Sequence, residues 1–321
     1  MPWFTFHLDD FAYSFLSVLF EGVPFLLLGS LLSGLVDVFV SAERMQRLLP
    51  KNNAAAIGLS GLLGLVFPMC ECGSVIVIRR FIRKGLPLSA AVTYMLAAPI
   101  VSPLVALSTF AAFKGQNPWV MTSLRLSIGY LIAIGVGFIV SRLPVSAILR
   151  PGLTAAPEAR RRAGLSITAE PSELPDFSSL VAASSTPKKL LLAVQSATAD
   201  FLDVTFFFII GTAAASIFNT ALDQRILEGL ATHPPTAIAA LMGLAAILAV
   251  CSTTDAFIAT TFRIFPCAAK LAFLLFGPVF DLKLFWLYGV LFRRRFVLLL
   301  ALGLFLVIWL ISWRIGTLGL D

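Results

Sequence analysis

The chain has 321 residues, of which 59% are hydrophobic and 13% charged, with 24 Lys and Arg against 17 Asp and Glu and a net charge of +7. That composition, with a mean hydropathy of +0.94, exceeds what a soluble domain of this size can hide in its core, so an all-α polytopic membrane protein is expected. It excludes a secreted disulfide scaffold, since all four cysteines stand in or beside apolar segments, and no basic-aromatic pattern argues for nucleic acid as a partner.

The amino terminus, MPWFTFHLDD, lacks the basic region of a signal peptide, and the first apolar stretch, from Phe11 to Val40, reads as a retained helix. Further apolar segments run from Ala54 to Ile78, Leu88 to Phe113, Trp119 to Val140, Leu190 to Phe218, Thr236 to Phe262, Cys267 to Phe292, and Phe296 to Trp313. About eight candidates result, several interrupted by Pro, Gly or a charge. Between Arg142 and Lys189 the composition turns to Pro, Ala, Ser, Arg and Glu, including Arg160 to Arg162, as in a flexible basic linker. The expected organisation is a first transmembrane repeat at 1–141, a cytoplasmic linker at 142–189 and a second repeat at 190–321.

The two halves resemble each other. Shifting by 182 residues pairs Phe25 with Phe207, Gly29 with Gly211 and Gly61 with Gly243; after a contraction of three, Pro87 meets Pro266 and Pro99 meets Pro278. The same shift pairs Glu21 with Asp203, and lays Met69 to Gly73 on Cys251 to Asp255. Each half thus carries one polar interruption at one position, and broken helices at equivalent places in two repeats point to a transport site near the bilayer midplane. If both interrupted segments are re-entrant hairpins, 17 of the 24 Lys and Arg fall on one side and the repeats are inverted. If both cross fully, the better orientation leaves 15 inside and Arg293 to Arg295 outside, so the positive-inside rule prefers hairpins.

The first interruption reads Phe67-Pro-Met-Cys-Glu-Cys-Gly-Ser74. Two thiols and a carboxylate cannot face hydrocarbon, where each uncompensated polar group costs several kcal/mol. Residues two apart point away from each other on a helix but project together from extended backbone. With Pro68 breaking the incoming helix and Gly73 permitting a sharp exit, Cys70 and Cys72 are expected to face one cavity, where they would suit a soft, thiophilic guest. The plainer alternative is that they are small buried residues in a kink.

The second interruption runs Cys251, Ser252, Thr253, Thr254, Asp255, hydroxyls that either contact a polar substrate or satisfy broken-helix backbone. Together with Cys70, Glu71, Cys72 and Gly73 these residues form the expected substrate site. Ionisable groups deep in apolar segments are functional candidates by default, which singles out Glu21, Glu71, Asp203 and Asp255 as proton carriers. Asp281 also qualifies but has an ordinary partner in Lys283 or Lys270. Pro99 and Pro103 are expected to bend their helix. His7 and His233 fall in extramembrane segments, and no phosphate loop, Ser-His-Asp set or zinc-ligand spacing is present. Neither an enzyme nor a cofactor or metal is expected.

The string FPMCECGSVIVIRRFIRKGLPLSAAVTYMLAAPIVSP, with CSTTDAFIATTF in the second half, resembles the predicted-permease family of YraQ-like proteins and ArsP-type organoarsenical efflux permeases. Its matching residues are Pro68, Cys70, Cys72 and Gly73, then Gly85, Pro87 and Pro99, and in the second repeat Cys251 and Asp255. The resemblance implies a multi-pass permease of the inner (plasma) membrane, whose ArsP-type members export trivalent organoarsenicals. The expected partners are the lipid bilayer and a small-molecule or soft-metalloid cargo, with a homo-oligomer left open. The alternative from another class is a membrane thiol-disulfide oxidoreductase moving electrons across the bilayer through the same cysteines.

Overall fold

The structure is a computed structural model that describes residues 8–39, 50, 52–67, 69–83, 85–150, 186–221 and 233–318. Every regular element described is a helix. The first half contains α1 (Leu8–Phe39), α2 (Asn53–Val66), α3 (Glu71–Arg83), α4 (Leu88–Ala97), α5 (Pro103–Ala112), α6 (Pro118–Ser141) and the single turn α7 (Val145–Ile148). The second contains α8 (Thr186–Ala221), α9 (Pro234–Leu248), α10 (Asp255–Thr261), α11 (Cys267–Phe276), α12 (Leu282–Leu291) and α13 (Arg294–Thr317). Four described helices, α1, α6, α8 and α13, are long and apolar enough to cross a membrane, as a multi-pass membrane protein requires. Pro68, the side chains of Asp37 and Asp203, and the linker from 151 to 185 lie outside the described residues.

The remaining helices are short because the sequence breaks them. Pro99 sits in the turn after α4 and Pro103 opens α5 at its first position, where a missing N–H costs nothing, so the expected bend is a full break over 98–102. Gly277 and Pro278 end α11, and the Asp281 carboxylate restarts the chain as α12 by accepting the Leu284 N–H at 2.7 Å. Helix α9 stops at Ala249, a non-glycine residue at φ +50°. A turn closes α3 through Gly85 at φ +92°, with Gly85 N–H donating to the Ile82 carbonyl and Leu86 N–H to that of Phe81.

Contacts along α6 fix the directions. Helices α4 and α5 together run antiparallel to it: Thr93 and Ser89 lie at Gly137, Ile100 at Gly129, Thr109 at Arg125 and Phe110 at Trp119. Helix α2 runs parallel to α4, with Gly61 against Thr93 and Gly64 against Ala98, and the Ser89 hydroxyl donates to the Asn53 side chain at 3.3 Å. Since the Gly85 turn links the end of α3 to the start of α4, α3 returns to the end from which α2 entered. The pair is a hairpin with its tip at 67–70.

Trp309 Nε1 donates to the Pro235 carbonyl, Ala268 touches Gly316, and the rings of Phe276 and Phe305 lie 5.7 Å apart, so α9 and α11 both start beside the end of α13. In turn the end of α13 meets the start of α6, where Ile315 lies near Gln116 and Asn117, while Arg293 N–H donates to the Ile148 carbonyl at the other end. Helices α6 and α13 are thus antiparallel, and the two hairpins enter from opposite ends. Helices α1 and α8 are antiparallel too, Gly34 facing Ala193 and Gly22 facing Phe208. Asp200 of α8 ties them to α3, accepting from Ser33 at 3.1 Å and from Arg80 Nε at 2.8 Å.

The stretch 145–150, assigned to the linker from its composition, is packed: Ile148 and Leu149 are buried, and Leu149 bridges Phe292. Burial of Ile148 and Leu149 docks the chain at the junction of α12 and α13.

Candidate functional site

Cys70 lies just outside α3, and its sulfur accepts the Gly73 N–H at 3.3 Å, the role a Ser or Thr oxygen plays at a helix start. Helix α3 therefore begins at Glu71, two residues earlier than a glycine exit would place it. Gly73 sits in the first turn with its backbone against Gly29 of α1, where a methyl on Gly29 would stand 3.0 Å from the Gly73 Cα. Cys72 is nevertheless turned toward the same space as Cys70: both line a narrow cleft of about 10 Å³ with Val18, Glu21, Gly22, Glu71, Cys251 and Lys283. Thiols from both hairpin tips thus border one space. All four cysteines are free.

At the second tip Cys251 opens a turn whose carbonyl accepts the N–H groups of Thr254 and Asp255, both at 3.0 Å. The Thr253 hydroxyl donates to the Cys251 sulfur at 3.6 Å, and the Thr254 hydroxyl donates to Glu21 at 2.6 Å, tying α1 to this tip. Ser252 contributes its carbonyl rather than its hydroxyl. Asp255 is the first residue of α10 and Glu71 the first of α3, so the helix starts pair these two carboxylates rather than Gly73 with Asp255.

Each carboxylate is held by a cation from the other half. Lys283 Nζ donates to Glu71 Oε1 at 2.9 Å and to the Ala249 carbonyl at 2.8 Å, and lies 3.5 Å from Asp281 Oδ2. An ammonium has three donors, and three acceptors surround this one. The Ala249 carbonyl is available because α9 ends there, and a cation at a helix C-terminus is favoured by the exposed carbonyls. Arg125 Nη2 donates to Asp255 Oδ2 at 2.7 Å and to the Ser252 carbonyl at 2.9 Å, while Nη1 donates to the Thr109 hydroxyl at 2.8 Å. Arg125 is 0% exposed. Both cations therefore also brace the 249–254 break.

Of the sequence-selected residues, the structure brings Cys70, Glu71, Cys72, Cys251 and Glu21 to the cleft. Thr254 and Asp255 stand behind it on their partners, and Gly73 packs on α1. Asp281 pairs with Lys283, as expected of an ordinary partner. Arg125 was not selected, and Lys283 only as that partner. The signal was present: Arg125 is the only charged residue between Trp119 and Val140. Among the described residues no group of three or more His, Cys, Asp or Glu is arranged to hold a metal ion.

A family model described as "Predicted permease" (ArsP_1) matches residues 7–316. The chain is 33% identical over 285 residues to a "Putative two-component membrane permease complex subunit" of Streptococcus mutans serotype c (strain ATCC 700610 / UA159), covering 88% of this chain and 87% of that protein. It is also 33% identical over 288 residues to "UPF0718 protein YcgR" of Bacillus subtilis (strain 168), covering 89% and 90%. No solved structure matches.

Proposed function

This chain belongs to the predicted-permease family, and we propose that it is a secondary transporter whose cargo contacts the cleft between the two hairpin tips. The observation that carries this reading is the convergence there of Cys70, Cys72 and Cys251 with Glu21, Glu71 and Lys283. In this reading both hairpins are re-entrant, the halves are inverted repeats, and the end bearing Arg79, Arg80, Arg142 and Arg293 to Arg295 is cytoplasmic. Soft thiols suit a soft cargo, so the cargo class is a small thiol-reactive solute such as a trivalent organoarsenical, moved outward. Glu21 and Glu71 are the proton carriers best placed for coupling. Asp255 is committed to Arg125, and Asp203 stays in the set on sequence grounds alone.

The test is growth of an arsenical-sensitive bacterial host expressing the protein, scored against a trivalent methylarsenical. Resistance is expected from the wild type and its loss from Cys70→Ser/Cys72→Ser at equal membrane abundance; full resistance in that variant overturns the role of the thiols. Because thiols of both tips border the cleft, an electron-carrying reading competes for the same residues. A Cys70–Cys251 or Cys72–Cys251 disulfide that forms and is reduced by thioredoxin would favour it, whereas thiols that never cross-link favour transport. The streptococcal relative is described as a complex subunit, and a partner subunit is part of the proposal for this chain as well.

A further inference from the structure

Helices α6 and α13 run antiparallel side by side without interlocking, and between them lies an apolar groove of about 430 Å³. Its walls include Leu131, Leu143, Phe296, Leu299, Gly303 and Val307, and Leu131 and Leu299 are 64% and 69% exposed. Gly135 and Gly303 keep it open, since a methyl on either would touch nothing within 4 Å. From Phe296 to Ile311 it extends about 22 Å along α13, longer than the ~15 Å of one leaflet's hydrocarbon.

One mouth of this groove is strongly basic. Helix α6 ends there at Ser141, followed by Arg142, and α13 begins there with Arg293, Arg294 and Arg295. Arg150 joins them through its N–H bond to the Leu291 carbonyl at 3.2 Å. Arg293 spends its Nε on the Leu149 carbonyl at 3.2 Å. No carboxylate among the described residues pairs with any of the five. An apolar trough ending in guanidinium groups that no described carboxylate pairs with matches one kind of molecule at both ends.

We propose that the groove is a binding site for an anionic phospholipid of the arginine-side leaflet, with an acyl chain along α6 and α13 and its phosphate on Arg142, Arg294 and Arg295. Guanidinium forks match phosphate oxygens in pairs, and basic pockets at helix ends recruit anionic headgroups. An apolar helix of a partner would fill the trough but leave the arginines without a counter-charge. A neutral lipid would do the same.

Native mass spectrometry of the full chain released from nanodiscs of equimolar phosphatidylglycerol and phosphatidylcholine tests the proposal. Retention of phosphatidylglycerol over phosphatidylcholine is expected. Arg142→Gln/Arg294→Gln/Arg295→Gln should lower that preference about tenfold. Gly303→Leu, which fills open space, should lower retention of both lipids while the protein stays monodisperse. Equal retention of the two lipids by the wild type overturns the proposal without reference to any variant. So does a Val307→Cys protein that cross-links to a second protein chain through the groove instead of leaving it to lipid.

Discussion

The two hairpin tips use the same parts in different ways. At the first, a carboxylate opening α3 meets a lysine from the second half beside a cleft lined by three thiols. At the second, a carboxylate opening α10 meets an arginine from the first half, sealed from the cleft, with its other donors on Ser252 and Thr109. Lysine is a point charge on a flexible stem, whereas arginine is a planar fork that fixes several acceptors at once. The first tip therefore borders the cleft with a point charge, and the second is fixed by a fork on three acceptors. Helix lengths agree: α3 has 13 residues to pack around its tip and α10 only 7, so the second tip leans on Arg125 for order.

The sharpest way to break this contrast is at Arg125. Arg125→Met leaves Asp255 buried and unpaired, and should cost about 3–5 kcal/mol, read as a lower unfolding temperature of the detergent-solubilised protein. Adding Asp255→Asn should restore part of that; a single variant as stable as the wild type would remove the anchoring role. Lys283→Met leaves Glu71 and Asp281 buried without their cation, and should cost about 3–5 kcal/mol as well, while abolishing transport in the host assay. Transport that survives Lys283→Met at equal membrane abundance would remove the lysine from the site.

Smaller effects test how the tips are seated. Gly29 of α1 and Gly211 of α8, paired by the internal alignment, press on Gly73 and on Lys283: a methyl would stand 3.0 Å from one Cα and 2.7 Å from the other. Gly29→Val and Gly211→Val should each cost about 1–3 kcal/mol, with transport falling further than stability, since each displaces a tip or its cation. The smallest change is a gain. Ala249 holds φ +50°, and Ala249→Gly should stabilise by about 1 kcal/mol or less in the same melting assay. A loss there would mean that the Ala249 methyl packs more favourably than the strain costs.

Much of this was readable from the residues in order. Apolar excess declared the membrane, and Pro99 and Pro103 marked the place where the structure breaks, though a bend was expected there. The alignment found the two interruptions and the Gly29 and Gly211 pair, but missed the helix register by two residues. It matched thiols and glycines by position, while the helices begin where a carboxylate can meet a cation. It also overlooked Arg125, because only acidic groups were sought in the apolar segments.

Local chemistry needs only neighbours, so the sequence by itself determined the class of the protein, its interruptions and the residues with thiol and carboxylate chemistry. Which cation neutralises which carboxylate was decided by the tertiary structure alone. Lys283 lies 212 residues from Glu71 and Arg125 lies 130 from Asp255, distances over which no periodicity carries information. Buried charges must be paired where the medium is apolar, but only the crossing of the two halves chooses the partner.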